Sequence, residues 1–200
     1  MKSGDKYKID PNEDEHEVLP NKLDITDKSE LEKEEAKGFI EADVHLSFNL
    51  KAKTKFNKEY IFEIHHLAFH HLYEFAGKYR TVNISKGGFN FPPAKYLDNS
   101  MSSFQSDILA YLKDEYPDKE SLIEDVAKVH GELLYIHPFR EGNGRIARLL
   151  ANLMVSKAGY ERLKFKRLDN KEKFDEYVNA VQKAGLKQYE PMIEIIRQIF

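Results

Sequence analysis

The sequence predicts an all-α protein carrying one small β-hairpin. Apolar residues recur at three- and four-residue spacing through most of the chain from Ser29 onward. Strict apolar–polar alternation is confined to one stretch, Thr81 to Phe91. With 41% apolar residues among 200, the chain can bury one substantial core. The expected organisation is an acidic, flexible leader at 1–28 followed by a single domain at 29–200.

Ser29 and Glu32 form a capping-box pattern, and Leu31, Phe39, Ile40, Val44 and Phe48 give the first helix an inward stripe toward Leu50. A second helix is expected from Asn57, carrying Tyr60, Ile61, Ile64, Leu67, Ala68 and Leu72 inward and stopping at Gly77. Thr81 to Ser85 then alternate as a strand, Gly87-Gly88 can supply a tight turn, and Phe89-Asn90-Phe91 alternate again before Pro92-Pro93 ends pairing. Helical spacing resumes from Leu97 to Tyr111, and from Lys119 to Ile136 with Asp118 as cap and Leu122, Val126, Val129 and Leu133 inward. Pro138 ends that helix. The next runs from Asn143 to Gly159, one follows Asn170 with Phe174, Tyr177, Val178 and Val181 as its face, and the last starts near Pro191.

Composition excludes several classes of function. Net charge is −3 and unevenly placed, with 13 Asp and Glu against 7 Lys in residues 1–41. An acidic leader repels phosphate, and no basic stripe interleaved with aromatics occurs elsewhere, so a nucleic-acid partner is not expected. Apolar runs are too short to span a bilayer, the first ten residues lack an apolar signal region, and there is no cysteine. A cytoplasmic protein without a membrane or disulfide framework is expected.

Chemistry concentrates in His137-Pro-Phe-Arg-Glu-Gly-Asn-Gly-Arg-Ile-Ala-Arg148. Gly142 and Gly144 stand where a helix begins, and there free N–H groups and the helix dipole favour an anion. Arg145 and Arg148 lie three residues apart in the first turn, so both guanidinium forks can reach one polyphosphate. Glu141 offers a hard oxygen suited to magnesium. His137, just upstream, is of the side-chain type whose ordinary pKa suits a general base.

This run matches the signature of the Fic family, and the chain resembles that family over roughly residues 55–200, including the stretch from Leu67 through Ala76-Gly77 to Lys86. The resemblance implies a Fic-type helical bundle with its flap hairpin beside the active site. It also implies transfer of AMP from ATP to a target hydroxyl with release of pyrophosphate. His137 would be the base, Glu141 the Mg2+ ligand, and Gly142, Asn143, Gly144, Arg145 and Arg148 the phosphate site. Pro138 would shape the turn and Phe139 anchor the loop. Ser85, Lys86, Gly87, Gly88, Phe89, Asn90 and Phe91 would form the flap that holds an extended target segment.

The motif variant narrows the chemistry. A phosphorylating branch carries Lys in place of Gly144 and a phosphocholine-transferring type carries Ala in place of Gly142, whereas this chain has glycine at both. Alternatives are use of another nucleotide, transfer of phosphate, or a non-catalytic nucleotide- or peptide-binding module. The base-side segment departs from relatives, reading Ala184-Gly-Leu-Lys-Gln188. The family's inhibitory pattern of Ser or Thr, three residues, Glu, then Gly or Asn has no full match; Thr26 to Glu30 comes nearest but is followed by Leu31. Either the enzyme is unrestrained or a separate antitoxin-like protein supplies a glutamate to Arg148, and the second is expected because unregulated modification is costly. Tyr177 is a candidate for the nucleotide pocket and a candidate for the core. His66 and His70 have metal-ligand spacing but no third ligand, so a helix face with one buried, hydrogen-bonded histidine is the expected outcome.

Overall fold

Four helices begin at an Asp or Asn whose side chain accepts a backbone N–H three residues on. These pairs are Asp27 with Glu30, Asn57 with Tyr60, Asp118 with Ser121 and Asn170 with Lys173. The caps open α1 (Lys28–Asn49), α2 (Lys58–Phe69), α4 (Lys119–Ile136) and α6 (Lys171–Ala184). The remaining helices are α3 (Leu97–Asp107), α5 (Asn143–Lys157) and α7 (Glu190–Ile199). The computed structural model describes residues 18–86 and 89–200, the Lys86 side chain excepted. The hairpin is an antiparallel pair, β1 (Ser85–Lys86) and β2 (Phe89–Asn90), with Ser85 opposite Asn90 and Lys86 opposite Phe89. Its turn residues Gly87 and Gly88 lie outside the described residues.

Helix α4 is the axis of the core. Leu122, Val126, Val129 and Leu133 are all buried, as expected, and α5, α6 and α7 pack around it. Helix α1 lies so close to α2 that a Cβ at Gly38 would meet His71 Cε1 at 2.2 Å and the Ala68 carbonyl at 2.4 Å.

That close approach corrects the expected face of α1. The small-residue face Leu31, Glu35, Gly38, Ala42 and Leu46 is buried, whereas Ile40 and Val44 are well exposed and Phe48 is 89% exposed. Asp27, not Ser29, caps this helix. Helix α2 stops at Phe69 rather than Gly77, because residues 70–77 form turns that bury Leu72, Tyr73 and Ala76. Helix α3 ends at Asp107, and a 3-10 turn at Leu109–Tyr111 completes the expected segment. On α6, Tyr177 is buried but Phe174 and Val178 stay partly exposed, at 40% and 37%. Residues 18–27, assigned on composition to the leader, lie against the domain: Val18, Leu19 and Ile25 touch the core, and Lys22 N–H donates to the Leu72 carbonyl at 2.9 Å.

Candidate active site

His137 is the C-cap of α4 and adopts a left-handed conformation, φ 52° and ψ 59°. This conformation is uncommon outside glycine and is sustained only where surroundings hold it. Several contacts do so here. The His137 N–H donates to the Leu133 carbonyl at 3.1 Å, and its own carbonyl accepts from Arg80 Nε at 2.8 Å. Nδ1 lies 2.8 Å from the Leu134 carbonyl. A carbonyl can only accept, so Nδ1 carries the proton of the neutral ring and Nε2 is the basic nitrogen. Phe91 of the flap stacks on the imidazole at 3.9 Å between ring centres.

The loop after His137 is braced from both sides. Asn143 Oδ1 accepts from Phe139 N–H at 2.9 Å, and Asn143 Nδ2 donates to the Phe139 carbonyl at 2.7 Å. The Asn143 carboxamide is thus buried bracing for the loop. Phe139 is fully buried and stacks on His65 at 3.9 Å. His65 accepts Gly77 N–H on Nδ1 at 2.8 Å and therefore donates from Nε2 to the Glu141 carbonyl at 3.1 Å. Burial drives the His65 imidazole down to about 3. Of the histidines at 65, 66, 70 and 71, His65 is the buried, bonded one and His66 and His70 are exposed.

Gly142 precedes α5 with φ 81°, and a Cβ there would strike Phe69 Cε2 at 2.5 Å. At Gly144 a Cβ would meet nothing within 4 Å. No side chain caps this helix end and no acidic residue lies in its first turn. The amides of residues 143–145 therefore head an uncapped, positive helix terminus with open space beside Gly144, which fits a phosphate. Glu141 Oε1 accepts from Gly142 N–H at 2.8 Å and lies 3.4 Å from Arg145 Nη2. No group of three or more His, Asp or Glu suited to a metal occurs among the described residues. A magnesium held by Glu141 would complete its shell with phosphate oxygens and water, the arrangement that ion favours, so the donor set fits it.

The two arginines have different settings. Arg145 Nη2 pairs with Glu35 at 2.7 Å, and its guanidinium lies 5.0 Å over the Phe69 ring. Burial works against this charge, but Glu35 and Glu141 outweigh it and hold the guanidinium protonated above its ordinary value. Arg148 lies 5.7 Å over Phe165, and its buried Nε has no hydrogen-bond partner among the described residues. Both arginines line a cavity of about 570 Å³ between Phe39 of α1 and the segment Leu163 to Arg167.

The Fic/DOC family model matches residues 55–155. This chain belongs to the Fic/DOC family. A protein adenylyltransferase Fic of Nematostella vectensis is 30% identical over 174 residues, 86% of this chain and 40% of that protein. This chain thus spans less than half of that relative's length. The N-terminal Fic domain of Bep8, a VirB-translocated effector of Bartonella sp. 1-1C, superposes with a TM-score of 0.73 at 20% identity, covering 91% of this chain and 90% of that one. BepC of Bartonella tribocorum, solved with bound AMPPNP, superposes with a TM-score of 0.70 at 20% identity over 91% of each chain. At such identity these structures establish the Fic fold.

Within that Fic fold, Tyr177 is a core residue. Its hydroxyl lies 2.6 Å from His130 Nε2, while His130 Nδ1 meets the Ala147 carbonyl at 3.1 Å. Burial raises the Tyr177 phenol to about 12, against the pull of a hydrogen bond with Arg148. Tyr177 thereby braces Arg148 from behind. Three further residues at the site escaped the sequence reading: Glu35, Tyr73, whose hydroxyl donates to Glu35 Oε1 at 2.5 Å, and Arg80. Glu35 lies on the Leu31, Gly38, Ala42, Leu46 face, which only the packing of α1 against its neighbours reveals.

Proposed function

We propose that this chain is a protein adenylyltransferase that moves AMP from ATP to a Ser, Thr or Tyr hydroxyl of a target protein. The observation that carries the reading is the uncapped α5 terminus, open at Gly144 and flanked by Arg145 and Arg148, beginning six residues after a histidine whose Nε2 is basic. His137 Nε2 takes the hydroxyl proton as the oxygen attacks the α-phosphorus. The bond to the β-phosphate oxygen breaks, and pyrophosphate leaves with its electron pair. Backbone amides at residues 143–145 and the two arginines neutralise developing charge, and such positioning supplies most of the acceleration in phosphoryl-type transfer. Bound magnesium, held by Glu141, would neutralise phosphate charge. An extended target segment would pair along the flap edge near Ser85 to Phe91.

Relatives named protein adenylyltransferase support this chemistry at about 30% identity. The compartment proposed for the reaction is the cytoplasm, which supplies both ATP and magnesium. No helix among the described residues is long and apolar enough to cross a membrane. A separate antitoxin-like protein is proposed to restrain the enzyme through a glutamate on Arg148. Apolar Phe39, Leu149 and Phe165 and basic Lys166 and Arg167 around the cavity beside that arginine suit such a segment.

Incubation with magnesium and α- or γ-labelled ATP, alongside His137→Ala and with host lysate, tests the reading. Protein-bound α label that requires His137 is the expected result. Bound γ label would replace AMP transfer by phosphorylation, and retained ATP binding without transfer would favour a binding module.

A further inference from the structure

Arg80 is 2% exposed and, among the described residues, no carboxylate pairs with it. Burial, with Arg140 nearby, lowers its pKa only to about 10, so it carries its charge at neutral pH. A buried, unpaired charge costs several kcal/mol unless hydrogen bonds compensate it. Here the donors reach three separate segments. Nε donates to the His137 carbonyl at 2.8 Å, Nη1 to the Val82 carbonyl at 2.7 Å, and Nη2 to the Pro92 carbonyl at 2.6 Å. The Arg80 N–H adds a bond to the Pro138 carbonyl at 2.9 Å.

These acceptors are the two legs of the flap and the loop that bears the base. Phe91, next to Pro92, stacks on the His137 ring, and its N–H donates to the Ile84 carbonyl at 3.2 Å. A site that needed only packing would be filled by leucine or methionine without the desolvation cost. A planar fork with donors on three separate nitrogens can hold three carbonyls that lie in different directions, which the single nitrogen of lysine cannot reach from one point.

We propose that Arg80 is the positioning residue that fixes the base His137 in register with the target-binding flap. This rests on the reading of His137 as base and of the hairpin as target site. Arg80 grips both sides of the Phe91–His137 stack, so flap position and imidazole orientation change together.

The test is Arg80→Lys, which keeps the charge but donates from one nitrogen. In the full chain with labelled histidine, nitrogen NMR should show His137 protonated on Nδ1 in the wild type and a mixture of tautomers in R80K. The maximal rate of transfer from α-labelled ATP should fall about 100-fold, the scale of a small misplacement. KM for ATP should stay within about twofold, since the α5 cradle does not touch Arg80. Wild-type tautomer and rate in R80K would overturn the proposal. If R80K does not fold, Phe91→Leu, which loses the stack from the half-exposed flap side, must give the same split, and an unchanged rate overturns it. If the wild type transfers nothing, the adenylyltransferase reading falls, and the tautomer comparison alone decides the role of Arg80.

Discussion

Arg145 sits between two carboxylates and over the Phe69 ring, whereas its motif partner Arg148 lies over Phe165 and against Tyr177 with no carboxylate paired to it among the described residues. Glu35 orients the guanidinium but also spends its charge before any polyphosphate arrives. Glu35→Gln keeps an acceptor for orientation and deletes the negative charge. In a partly exposed site that charge is worth about 1 kcal/mol, so titration of E35Q should show ATP bound about fivefold more tightly. Loss of the charge-assisted bond should lower unfolding free energy by about 1–2 kcal/mol. Weaker ATP binding would mean instead that Glu35 serves binding. His137→Ala, by contrast, should keep ATP affinity and lose about 100-fold or more in transfer rate, the share of a general base. The run 137–148 was legible as a candidate site because its histidine, acid, glycines and arginines are contiguous. Glu35 was not, because its partner lies 110 residues away and only packing joins them.

At the level of elements, the two glycines that open α5 separate stability from function. Gly142→Ala would force an alanine to φ 81° and drive its Cβ into Phe69. It should cost about 3 kcal/mol or more, read by chemical denaturation. Gly144→Ala meets open space, so stability should hold or rise by up to about 1 kcal/mol. ATP affinity of G144A should nevertheless drop about tenfold, because the methyl group intrudes where phosphate would approach the amides. Unchanged affinity would remove the phosphate from that helix end. Helix starts were readable from Asn57, Asp118 and Asn170 because an N-cap is a local interaction. The face of α1 was not, since Ile40, Val44 and Phe48 outweigh Gly38 and Ala42 in any apolar count. What decides the face is how near α2 lies, which no local pattern contains.

Across the whole molecule, two buried histidines act as struts between parts distant in sequence. His65 ties α2 to the Gly77 turn and the Glu141 carbonyl, and His130 ties α4 to α5 and α6. Burial lowers both imidazoles to about 3, whereas an unfolded histidine titrates near 6.5. Between those values the unfolded chain binds protons that the folded chain refuses, so stability rises with pH there. The stabilisation is fully present above about pH 6.5 and is lost as pH falls toward 3. Each histidine contributes a slope of up to about 1.4 kcal/mol per pH unit. Asp43, held low by its hydrogen bond to Arg162, adds acid sensitivity only below the ordinary carboxylate range near 4. The window from about pH 6.5 to 4.5 therefore belongs to the histidines. Urea unfolding across it should show a fall in stability with acid that is shallower in His65→Gln, even though that variant starts less stable at pH 7.5. If H65Q keeps the full slope, His65 is protonated in the folded protein, and its bond to the Glu141 carbonyl does not depend on a neutral ring.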